Sequence, residues 1–84
     1  MNFEKLLERL KEKNTTGAIA LYSVLEHHLK EMKAKINKDK SQYELYLFID
    51  GILWGMFGAG MIDQVEELEL KNELINIYKN QNTI

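Results

Sequence analysis

Apolar residues recur at helical spacing along nearly the whole chain, interrupted by three short polar or glycine-containing stretches. Phe3, Leu6, Leu7 and Leu10 form one stripe behind Asn2, a residue suited to capping, and predict a short helix over 2–13. Asn14-Thr15-Thr16-Gly17 is a turn cluster, in which Thr15 or Thr16 can cap the second helix. Over 16–36, Ala18, Tyr22, Leu25, Leu29, Met32 and Ile36 alternate by four and three, a heptad-like seam. Ile19, Leu21 and Val24 add apolar surface to the first half of this helix, which is expected to pack deeply. The second half keeps only the seam and is otherwise basic, as suits a helix end in solvent. A connection over 37–41 then leads into a third helix over 42–59, and a fourth is predicted over 63–79.

The third helix is the least polar. Leu45 to Ile62 carries a single charge, Asp50, and Gly51-x-x-x-Gly55-x-x-x-Ala59 is the small-residue spacing of close-packed helices. Its length would admit a membrane span, but a carboxylate and further glycines suit lipid poorly. The expectation is a buried core helix whose glycines let a neighbouring backbone approach. Gly60 is a suitable stop, and Asp63-Gln64-Val65-Glu66 has the form of a capping box. In the fourth helix Val65, Leu68, Leu70, Leu74, Ile75, Ile77 and Tyr78 occupy about half the circumference. The fold class is therefore all-α: one compact four-helix bundle-like domain with antiparallel neighbours.

At 84 residues the core is small, burying about 60–65% of the unfolded chain's surface. With no cysteine, disulfides and thiolate metal sites are excluded. His27 and His28 are adjacent, so on a helix they point about 100° apart and cannot share a metal. Self-association is the remaining support, and the wide apolar faces lead us to expect a homodimer. No cofactor is expected. The charged, amphipathic start of the chain does not resemble a secretory signal, and a cytoplasmic location is expected.

Charge is divided along the chain. Residues 1–40 hold nine Lys/Arg against six Asp/Glu, whereas residues 41–84 hold two lysines against seven acids. In a symmetric dimer these unlike ends could meet, or each could face a different partner. Lys30, Lys33, Lys35, Lys38 and Lys40 form the candidate basic surface.

No catalytic arrangement is expected. Ser23 and His27 lie four residues apart, but lack an orienting group and an oxyanion site. Ser41 has no such neighbour. His27 or His28 with Glu31 supplies only two metal ligands, and intrahelical pairing accounts for them better. A helix-turn-helix centred on Gly58-Ala59-Gly60 would bring Asp63, Glu66, Glu67 and Glu69 toward phosphates, which repels DNA. Neither nucleic acid nor a membrane is an expected partner. A small nucleic-acid-associated transcriptional regulator is the alternative that the lysines keep open.

On the third helix, Tyr43, Tyr46, Leu47, Asp50, Leu53, Trp54 and Phe57 share one arc, with the glycines beside it. Aromatics anchor interfaces, so Tyr43, Tyr46, Asp50, Trp54 and Phe57 are the candidate partner-binding residues. Core, dimer seam and partner site are all open for this stripe. Asp50 is expected to pair with His27, His28 or a group on a partner.

The segment Ile52 to Leu68, with its glycine stop, Met61-Ile62 and the Asp63–Glu66 cap, resembles the helical hairpin of small accessory proteins of Gram-positive phages and mobile elements. The chain is also similar in size and layout to helical bacteriocin-immunity proteins. The first resemblance implies a non-enzymatic regulator or inhibitor that occupies a surface of a target protein.

Overall fold

A computed structural model describes residues 1–34 and 40–80. It contains four helices: α1 Phe3–Lys13, α2 Thr16–Ala34, α3 Lys40–Gly58 and α4 Gln64–Asn80. The fold is an all-α bundle, 38 × 23 × 18 Å in extent, and no strand occurs among the described residues.

Local chemistry sets the helix ends. Asn2 Oδ1 accepts from the Lys5 amide at 2.9 Å, and Thr15 Oγ1 accepts from the Ala18 amide at 3.1 Å. Between these caps Asn14 turns the chain in the left-handed region, with φ of 52°. The end of α3 has the Schellman pattern. The Met61 amide donates to the Met56 carbonyl, the Gly60 amide donates to that of Phe57, and Gly60 has φ of +77°. Asp63 and Glu66 then form a reciprocal box: the Glu66 amide donates to Asp63 Oδ1 at 2.8 Å, and the Asp63 amide to Glu66 Oε1 at 3.0 Å.

Consecutive helices pack side by side, and α2 also touches α4. The core is built from Phe3, Leu6 and Leu10 of α1, Ala18, Leu25, Leu29 and Met32 of α2, Ile49, Leu53 and Met56 of α3, Ile62 of the turn, and Leu70 and Leu74 of α4. Ala18, Leu25, Leu29 and Met32 are the expected α2 seam, with Tyr22 half-buried; Ile36 lies outside the described residues.

Polar groups tie α1 to α4. Arg9 Nη1 and Nη2 donate to the two Glu66 carboxylate oxygens at 3.3 and 2.8 Å. The α-amino group of Met1 reaches Glu69 at 2.9 Å, and the Phe3 amide donates to Glu73 Oε1 at 2.7 Å. The last contact places a carboxylate at the positive end of α1, where the helix dipole favours it.

Two packing expectations are corrected. Ile19 is exposed rather than deeply packed, because the seam through Ala18 and Leu25 turns it away from the core. The α3 glycines admit no neighbouring backbone: a Cβ added at Gly51, Gly55 or Gly58 would meet nothing within 4 Å. They lie on the outside of the bundle, not in a helix–helix crossing. No described helix is long and apolar enough to cross a membrane.

Candidate protein-interaction face

α3 buries Gln42, Ile49, Leu53 and Met56, a single helical stripe, and so turns the opposite arc to solvent. That arc would be polar in an ordinary surface helix. Instead Tyr43, Leu47, Phe48 and Trp54 are 51, 47, 50 and 66% exposed. Between them run Gly51, Gly55 and Gly58, also exposed, and Glu44 is the single acidic residue on the arc. Side chains that stand out on either side of a line of glycines make a shallow trough along the helix.

Each edge of the trough is held by a neighbouring helix. On the α4 edge the Tyr43 and Tyr46 rings lie 6.3 and 5.1 Å from that of Tyr78. Asp50 Oδ1 lies 3.9 Å from Lys71 Nζ. Trp54 is tilted against half-buried Phe57 at 5.8 Å. On the α2 edge the Phe48 ring stacks on His28 at 4.6 Å with 17° between planes. His28 Nδ1 is 2.7 Å from the Val24 carbonyl, which fixes the imidazole beneath Phe48. Beside Gly55 an apolar cavity of about 270 Å³ opens between the helices, lined by Leu21, Ile52, Gly55, Met56 and Met61.

The structure therefore divides the expected aromatic stripe. Leu53 belongs to the core; Tyr46 and Asp50 are half-buried against α4, and Phe57 is half-buried against the core; Tyr43, Leu47 and Trp54 face solvent. Asp50 faces Lys71, not His27 or His28, because His28 stacks on Phe48 at the opposite edge of α3. His27 instead pairs with Glu31 at 3.5 Å within its own helix. Phe48 is the residue that the helical wheel missed, whereas the glycines, which the wheel sets beside the arc, are exposed. The available signal was that Phe48 and Trp54 bracket the glycines symmetrically, as two walls bracket a trough.

Of the candidate basic surface, the structure describes the side chains of Lys30 and Lys33. Lys30 and Lys33 are exposed, but Lys30 lies 3.7 Å from Glu26. Glu26 also accepts from the Tyr22 hydroxyl at 2.9 Å, and this hydrogen bond raises the tyrosine pKa above its ordinary value. Lys35 and Lys38 lie outside the described residues, and Lys40 opens α3. Ser23 and His27 are both exposed, and the His27 imidazole lies against Glu31. Among the described residues no group of three or more His, Asp or Glu is placed to hold a metal ion.

What the arrangement can do is present a nearly uncharged apolar strip whose centre admits close approach of another backbone. No protein-family model, no curated protein and no solved structure matches this chain.

Proposed function

We propose that this chain is a non-enzymatic regulator or inhibitor that works by laying the outward face of α3 on a surface of a target protein. One observation carries the reading. Four large hydrophobic side chains, Tyr43, Leu47, Phe48 and Trp54, stand exposed along one helix, around glycines with open space above them. Contiguous apolar patches of this kind on small proteins mark interaction sites, and aromatic anchors dominate interface energetics. The resemblance of residues 52–68 to accessory proteins of Gram-positive phages and mobile elements supports the same class, and the lack of cysteine suits a cytoplasmic setting.

The test is comparative affinity capture from cells that express the chain, with the wild type and a Trp54→Lys variant as baits. Trp54 is exposed, so the variant should keep its helical circular dichroism. A protein retained by the wild type and lost from the variant supports the proposal. The same proteins on both baits, or none on either, would overturn it.

A further inference from the structure

The four methionines of the chain lie in unlike surroundings. Met32 is fully buried, Met56 is 3% exposed, and the side chain of Met1 is 5% exposed. Met61, in the turn between α3 and α4, is half-buried where the apolar cavity beside Gly55 opens to solvent. We propose that Met61 is a site of reversible oxidation and that its thioether side chain is the cover of Met56. Once oxidised to the sulfoxide, Met61 leaves the cavity and exposes Met56 to the same reaction. The inference does not depend on α3 meeting a target.

The stop of α3 sets the two methionines together. The Met61 amide donates to the Met56 carbonyl at 2.9 Å, the longer of the two bonds of the Schellman motif. In that motif the residue after the left-handed glycine packs its side chain on the residue five positions before it. Here both positions hold methionine, and both side chains line the cavity with Leu21 and Ile52. Gly55 contributes no side chain to that wall, so the long chain of Met61 is what shields Met56 on this side.

The chemistry follows from exposure. Hydrogen peroxide transfers one oxygen to an accessible thioether: the O–O bond breaks, an S–O bond forms, sulfur gives up two electrons and water leaves. The product carries a strong hydrogen-bond acceptor on what was an apolar chain. Every side chain that lines the cavity is apolar, so none of them offers the sulfoxide oxygen a donor. A polar group buried without a hydrogen bond is unfavourable, and the oxidised side chain therefore turns to water. The turn survives this movement, because it is held by backbone bonds and by Gly60 at φ of +77°, neither of which uses the thioether. With Met61 withdrawn, the cavity of about 270 Å³ opens toward the Met56 sulfur. Met32 has no such opening and stays reduced.

Timed exposure of the folded protein to hydrogen peroxide, read by peptide mass mapping, tests the proposal. Met61 should gain oxygen first, about tenfold faster than Met32, with helical circular dichroism unchanged. Met56 should follow after a lag that tracks the oxidation of Met61. In Met61→Leu, which keeps an apolar cover of similar volume, Met56 should stay reduced for as long as the wild type takes to oxidise it. In Met61→Gln, whose polar end turns outward without oxidation, Met56 should oxidise with no lag. Methionine sulfoxide reductases should return Met61 to the thioether. Oxidation of Met56 as fast in Met61→Leu as in the wild type would overturn the covering role. Oxidation of Met32 in step with Met61, or loss of helicity with the first oxygen, would mean that peroxide acts on opened chains and would overturn the site.

Discussion

Glu66 serves two helices with one carboxylate. Its Oε1 closes the capping box on Asp63, and both oxygens accept from Arg9 across the α1–α4 boundary. The Arg9 hydrogen bond, then that from the Asp63 amide, hold its pKa below the ordinary carboxylate range. A carboxylate depressed in the folded state contributes stability that is fully present above the unfolded pKa, about 4.3. That contribution is lost as pH falls through the lower, folded value. Glu66→Gln keeps an acceptor for the Asp63 amide but cannot titrate. Thermal melts from pH 7 down to pH 3 should show a shallower acid-side fall for this variant, and an unchanged slope would mean that Glu66 has no part in acid sensitivity. Asp50 stands in contrast. Its separation from Lys71 is 3.9 Å and both side chains are partly exposed, so Asp50→Ala should cost less than about 1 kcal/mol in chemical denaturation. A loss of several kcal/mol would show a role that the Lys71 contact does not explain.

At the scale of elements, α2 is the most legible in the sequence. It is apolar on one side and charged on the other over its second half, so the seam from Ala18 to Met32 identifies the buried face. The caps are equally legible, because Asn2, Thr15 and the Asp63–Glu66 box act through backbone groups within three residues. α3 is not, since periodicity reports a buried face only where the opposite face is polar. Ile49, Leu53 and Met56 go inside while Leu47, Phe48 and Trp54 stay outside, and composition alone does not rank them. The links from α1 to Glu66, Glu69 and Glu73 depend on pairing across more than fifty residues, which no local pattern encodes. The exposed glycines give a direct check on α3. Glycine inside a helix costs about 0.5–1 kcal/mol relative to alanine, and at Gly51 the added methyl meets open space. Gly51→Ala should therefore raise the stability of the monomer by about that amount, measured under dilute conditions by denaturant titration. Destabilisation would mean that a neighbour lies against Gly51 within the subunit after all.

For the whole molecule, the bundle has an apolar core shared by four helices, and one of those helices presents a second apolar face outward. That surplus is the reason to expect assembly. The chain holds one tryptophan, Trp54, and it is 66% exposed on this outward face. Its fluorescence therefore reports directly on whether the face is covered. If assembly covers the face, the emission maximum moves to shorter wavelength, and access to acrylamide falls, as concentration rises through the micromolar range. The shift should reverse on dilution and be absent from a Gly51→Glu variant that places a charge on the face. A solvent-like emission maximum and full quencher access at every concentration, and equally in any complex that the wild-type chain forms, would contradict the assignment of α3 as the interaction face.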